Sequence, residues 1–280
     1  MPQNGWPLAL HTWSIDTAPL AEALAGAREG GFDCLELRRL DFTRCYEAGL
    51  SNDDVLGIVR DSGLPVAVLG VEYGFLFAQG EESARLFRVF RESCENAVAL
   101  GCDMLMSAPG QNTGMLDDAV AHLRIAADIA AEHGLKLAIE FNSQHPVINH
   151  VTVLRELLSR AGKSNAGMLL DAYHLHRSGS PGRGFEEIDG AEIFCFQYSD
   201  VPDVPVGDGV RRPTDRLLPG DGVVRWAELL GLLAEKGFAG PLSYEAPNPA
   251  LWALPPTELA RRAVQATARL LESVPRRVPA

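Results

Sequence analysis

Eight short apolar runs rich in β-formers alternate with Ala/Leu/Glu/Arg-rich stretches along the 280 residues, glycines punctuate the junctions, and no Gly-x-Gly-x-x-Gly follows the first run. These observations predict an α/β protein, a single (β/α)8 TIM barrel rather than a doubly wound sheet.

The first predicted strand is Leu8–Trp13, followed by a helix over Ala18–Glu29 that Gly30-Gly31 ends. Strand Asp33–Arg38 leads to helix Asn52–Ser62 and Gly63, and strand Pro65–Val71 to helix Glu82–Leu100 and Gly101. Strand Asp103–Ser107 precedes helix Leu116–His133 and Gly134, and strand Leu135–Phe141 precedes helix Val151–Arg160. The sixth strand, Gly167–Asp171, opens a connection over Ala172–Glu192 with weak helical patterning, read mostly as loop. Strand Ile193–Tyr198 runs through a long segment to helix Trp226–Lys236 and Gly237, and strand Pro241–Glu245 is followed by helix Thr257–Ser273. The strands are nearly continuous apolar runs, as expected where both faces are covered. The helical stretches repeat apolar residues at three- and four-residue spacing, and glycine suits the left-handed turn that ends a helix. No linker divides residues 1–280, so one domain is expected, with 275–280 as a frayed tail.

Composition narrows the function. Twenty-five Lys and Arg against 37 Asp and Glu give a net charge of −12, which repels nucleic-acid phosphates and anionic lipid, so neither is an expected partner. No apolar run approaches the ~20 residues of a membrane span, and Met1–Trp13 does not read as a signal peptide. Five cysteines without a Cys-x-x-Cys pair read as reduced, buried thiols of a cytoplasmic protein.

Barrel chemistry is built at the C-terminal ends of the strands. There stand Glu140 in LAIEFN, Asp171 in LLDAYH, Gln197 in FCFQYSD and Glu245 in LSYEAPN. Each ends an apolar run, and three buried carboxylates in one pocket repel one another unless a cation sits among them. Oxygen-only ligation favours one divalent Mg²⁺ or Mn²⁺, with Co²⁺ or Zn²⁺ as alternatives. For any one of these residues alone, pairing with an arginine or capping a helix is the plainer role.

With this quartet, the chain resembles the xylose-isomerase-like (sugar phosphate isomerase/epimerase) barrels over nearly its whole length. Within them it resembles the inosose (2-keto-myo-inositol) isomerases over DAYHLHRSGS, SDVPDVPVG, RLLPGDGVV and GFAGPLSYE. That resemblance implies metal ligands at Glu140, Asp171 and Glu245, with the glutamates Glu140 and Glu245 moving protons. The fourth ligand departs, because Gln197 stands where those isomerases have His. A Glu-Asp-Gln-Glu quartet is the pattern of bacterial 3-dehydroshikimate dehydratases, which the phrases LLDAYH, FCFQYSD and LSYEAPN also resemble.

The resemblance implies a small polyol or keto-sugar substrate, a polyhydroxylated and cyclic ketone, isomerised or epimerised through a metal-stabilised enediolate. Loss of water from the same enolate is the lyase alternative, and a non-catalytic polyol-binding protein is a third reading. It implies that His174 contacts substrate as an electrophilic or proton-shuttling partner, and it admits a homo-oligomer. Arg216, in DRLLPGDG, matches an arginine of the isomerase pattern; it binds substrate oxygens or pairs at the surface with Asp215 or Asp221. His11, Trp13 and Asn142 are candidate substrate contacts beside plainer structural roles, as are the more general wall residues Gln144, Tyr244 and Trp252. Glu36, Arg38 and Glu72 end strands and either line the pocket or pair with one another. A DNA-repair endonuclease of this barrel group is excluded, since it needs a His-rich zinc cluster and a basic face.

Overall fold

The computed structural model describes residues 5–272 and 274; the tail expected over 275–280, like Ser273, lies outside them. Each apolar run forms a parallel strand, and the strands close in sequence order into one barrel. In order, β1 (Leu8–His11) is followed by α1 (Leu20–Gly30), β2 (Cys34–Leu37), α2 (Arg39–Glu47), α3 (Asn52–Asp61), β3 (Val66–Gly70) and α4 (Gly80–Ala99). Then come β4 (Met104–Ser107), α5 (Leu116–Glu132), β5 (Lys136–Glu140), α6 (Val151–Ala161), β6 (Ala166–Asp171) and α7 (Ala172–Arg177). The last elements are β7 (Ile193–Tyr198), α8 (Trp226–Glu235), β8 (Leu242–Tyr244), α9 (Pro249–Trp252) and α10 (Pro256–Leu271).

Strand alternation sorts the core into two regions. Residues facing the helices form the large outer core, including Leu10, Leu35, Leu69, Leu105, Leu137, Leu170 and Tyr244. Residues facing the axis form a smaller cluster of Val68, Met104, Met106, Ala138, Leu169 and Cys195. One inward step further along their strands stand Glu140 after Ala138, Asp171 after Leu169 and Gln197 after Cys195. The apolar plug therefore gives way to polar side chains at the C-terminal end of the barrel. Register brings them level: Asp171 pairs with Gln197, Gln197 with Ser243, and His11 with Glu36.

Two helices depart from the expected pattern. α2 is a full helix between β2 and α3, although only Asp41, Phe42 and Cys45 of it are buried. So thin an apolar stripe leaves little periodicity to read. The start of Ala172–Glu192 forms the short helix α7, because the Asp171 side chain accepts a hydrogen bond from Tyr173 N and caps it.

The seam between chain beginning and end is closed by small residues. A Cβ on Gly26 would meet Pro256 Cβ at 2.5 Å, and one on Gly30 would collide with the Ala260 methyl group. At the end of α1, Gly31 takes φ 97° and its N–H reaches the carbonyls of Ala27 and Arg28, a left-handed cap that any Cβ would strain. The five cysteines are buried and free, and burial pushes the Cys34, Cys94 and Cys102 thiols up to about 12. No helix among the described residues is long and apolar enough to cross a membrane.

Candidate active site and metal centre

A cavity of about 490 Å³ opens at the C-terminal end of the barrel, lined by His11, Trp13, Arg38, Glu72, Tyr73, Glu140, Asn142, His174, Arg216 and Glu245 among others. Its size suits a small polar ligand. Asp171, Gln197 and Glu36 are fully buried beneath it.

Glu140, Asp171 and His174 offer ligand atoms within 4.8 Å of one another. Burial and the neighbouring Glu245 and Asp171 push the Glu140 carboxyl well above the usual carboxylate range. Burial raises Asp171 to about 6 despite the opposing Arg216 guanidinium. Arg216 is itself buried; its Nη1 lies 2.6 Å from Asp171 Oδ2 and 2.8 Å from Glu245 Oε2. It pairs with neither Asp215 nor Asp221, and it holds two of the carboxylates from the cavity side. Asp215 instead accepts from Tyr173 and Arg177.

Both inward histidines are neutral. His174 Nδ1 lies 3.2 Å from Ser143 N and 2.9 Å from Ser143 Oγ, and its Nε2 lies 3.6 Å from Glu140 Oε1 and 3.4 Å from Arg216 Nη2. His11 Nδ1 accepts the Trp13 N–H at 3.1 Å, and its Nε2 lies 3.4 Å from Glu245 Oε1. Burial, with nearby arginines, holds both rings well below the usual histidine value.

The residues present fit a cation. Buried Glu140 Oε1 and Gln197 Oε1 have no hydrogen-bond donor, although buried acceptors are normally satisfied. A carboxylate oxygen and an amide oxygen left without a donor at one barrel end, beside the carboxylates of Asp171 and Glu245, are acceptors suited to a hard divalent ion.

Other sequence candidates are placed as follows. Trp13 lines the mouth with the Arg212 guanidinium 4.4 Å above its ring, and Asn142 donates to the Arg211 carbonyl at 3.1 Å. Glu72 is at the rim, 2.5 Å from Arg85. Arg38 pairs with Asp16 at 2.6 Å and Asp41 at 2.7 Å. Glu36, Arg38 and Glu72 thus do not pair with one another. Tyr244 packs outside the barrel against Phe32 and Tyr198, and the Trp252 indole donates to the Trp13 carbonyl.

Two residues of the site escaped the sequence reading. Tyr73 lines the cavity with its hydroxyl 3.2 Å from Met106 Sδ; its place just past β3, beside Glu72, was the available signal. Ser143, two residues past Phe141, fixes the His174 ring, and nothing in its local pattern distinguishes it.

Residues 24–270 match the xylose isomerase-like TIM barrel family. The chain is 25% identical to an inosose isomerase of Halalkalibacterium halodurans over 92% of this chain and 93% of that one. It is 28% identical to a 3-dehydroshikimate dehydratase of Pseudomonas aeruginosa over 84% of this chain, which spans 37% of that longer protein. The crystal structure of an IOLI protein with a zinc atom superposes at a TM-score of 0.85, with 23% identity over 95% of this chain and 98% of that one. That structural likeness carries the fold alone.

Proposed function

The chain belongs to the xylose isomerase-like TIM barrel family, and from that premise we propose that it is a divalent-metal-dependent isomerase or epimerase of a polyhydroxylated, cyclic, inosose-like ketone. The observation that carries this reading is the pair of acceptors without a donor, Glu140 Oε1 and Gln197 Oε1, buried at the end of the barrel. Glu140, Asp171, Gln197 and Glu245 would hold the cation, Mn²⁺ or Mg²⁺ by donor type, while the zinc in the superposed IOLI structure keeps Zn²⁺ in view. When bound, such an ion polarises a carbonyl and stabilises negative charge on its oxygen.

The chain's own groups move the proton. Glu245 takes it from the carbon beside the substrate carbonyl, and Glu140 returns one to the neighbouring carbon or the opposite face. His174 acts on substrate oxygen through Nε2 as an electrophilic or proton-shuttling partner, and Arg216 orients the ligand through its planar fork. His11, Trp13, Arg38, Glu72 and Asn142 shape the remaining wall. The buried thiols fit a reducing, cytoplasmic setting.

A dehydratase of 3-dehydroshikimate type is the second reading, favoured by Gln197 in the quartet and by the Pseudomonas aeruginosa relative. There His174 would protonate the departing hydroxyl. One experiment separates the two: an NMR time course of Mn²⁺-loaded protein in D2O with an inosose and 3-dehydroshikimate. Deuterium beside the carbonyl with unchanged product formula supports the isomerase, whereas an unsaturated product formed with loss of water supports the lyase. No exchange with any ketone, despite bound metal, counts against both and favours a polyol-binding protein.

A further inference from the structure

The Glu36 carboxyl is the least expected group in the site. It lies on β2, fully buried, and its Oε1 accepts the Gln197 Nε2–H at 2.9 Å from β7, 161 residues away in the chain. Gln197 is also fully buried, and its Oε1 has no hydrogen-bond donor. A planar amide carries its oxygen and nitrogen on opposite sides, so a nitrogen tied to Glu36 leaves the oxygen on the side away from it.

We propose that Glu36 is a positioning residue that fixes the Gln197 amide so that its oxygen, not its NH2 group, faces the cation held by Glu140, Asp171 and Glu245. This rests on the metal-site reading above. The two amide orientations have almost the same shape, so packing alone does not choose between them. Only an acceptor at Glu36 does, because turning the amide over would place its oxygen against a carboxyl oxygen and present N–H donors to the ion.

The same logic explains why glutamine needs this partner more than a glutamate would. A carboxylate has two equivalent oxygens, whereas an amide has one liganding atom and is a poor ligand when turned over. Groups outside the ligand shell that orient ligands typically change metal affinity by about 10- to 100-fold when removed.

The test is Mn²⁺ titration, with free ion read by electron paramagnetic resonance, of the full chain and four variants: Glu36→Met, Glu36→Gln, Gln197→Glu and Glu36→Met/Gln197→Glu. Glu36→Met should weaken Mn²⁺ binding by about 10- to 100-fold. The same substitution in the Gln197→Glu background, where the two ligand oxygens are equivalent, should weaken it distinctly less, a non-additivity that a general structural role for Glu36 does not produce. Glu36→Gln, which keeps the volume and admits both amide orientations, should fall between wild type and Glu36→Met. Wild-type affinity in Glu36→Met, or an equal loss in both backgrounds, overturns the proposal. Should Glu36→Met fail to fold, Glu36→Gln in the two backgrounds decides by the same criterion. Absence of Mn²⁺ binding by the unaltered chain overturns the metal-site reading itself and this proposal with it.

Discussion

Glu245 follows β8 directly, and its N–H still bonds to the Tyr198 carbonyl at 3.1 Å, so the backbone that carries the proposed base is held by the sheet. Glu245→Gln keeps the side chain's shape but gives up the charge that Arg216 pairs with and cannot take a proton. It should therefore fold normally and lose about 10²- to 10⁴-fold in α-proton exchange, read by the D2O time course. Near-normal exchange in that variant excludes Glu245 as the base. Asp16 offers a test of a different kind. Burial raises its carboxyl, but hydrogen bonds from Arg44 and Arg38 outweigh that and hold it below its usual value. A carboxylate lowered in the folded state stabilises it at pH above the unfolded value, ~3.9, and that contribution fades as pH falls through the lowered value. Asp16→Asn should thus lower the unfolding midpoint at pH 7, with the gap to wild type narrowing as pH falls below ~3.9, as thermal melts across pH would record. An unchanged gap removes the ion pairs from the account. The four quartet residues were legible because each ends an apolar run where a charge or amide must have a purpose. Their partners were not: Glu36 meets Gln197 across the barrel, and Arg216 meets Asp171 from a distant loop, contacts that strand periodicity does not encode.

Among the elements, α1 and α10 owe their close approach to Gly26 and Gly30. Gly30→Ala improves helix propensity by about 1 kcal/mol, yet the added methyl group has nowhere to go against Ala260. Overpacking of about 1–3 kcal/mol should win, so the variant should melt lower; a higher melting point would show that the two helices can separate without loss. The long segment after β7 is organised by one buried side chain. Asp200 Oδ1 accepts from Val201 N at 2.9 Å and Val224 N at 3.0 Å, and Oδ2 accepts from Gly220 N at 2.7 Å and Trp226 Nε1 at 2.8 Å. Asp200→Ala leaves these donors unpaired, with a loss of roughly 1–3 kcal/mol for each one kept from water. Limited proteolysis should then cut between 201 and 224 faster than in wild type; unchanged cleavage would mean the loop is held by its other contacts. The length of this segment was visible in the sequence, since its turn-forming residues separate β7 from α8. Its internal order was not, because one aspartate binding four donors has no periodic signature. α2 went unread for the related reason that it buries so little.

At the scale of the whole molecule, ligand and fold are linked. An ion that binds the closed barrel and not the unfolded chain stabilises it by about 2.7 kcal/mol at one hundred times its Kd. For a domain of this size that is roughly 5 °C or more in unfolding midpoint. Mn²⁺ should produce such a rise and a chelator should reverse it; a midpoint indifferent to metal would count against the buried site. The barrel itself was readable because strand order, spacing and helix punctuation all agree, a consistency that does not depend on any one residue. The closing of that barrel also has a consequence during synthesis. β1 bonds to β8, and β8 begins only at Leu242 of 280 residues. Until that strand leaves the ribosome, the growing chain has two unpaired sheet edges, on β1 and β7. Such edges recruit other strands, so translation stalled before Leu242 should release a product that depends on chaperones and aggregates without them.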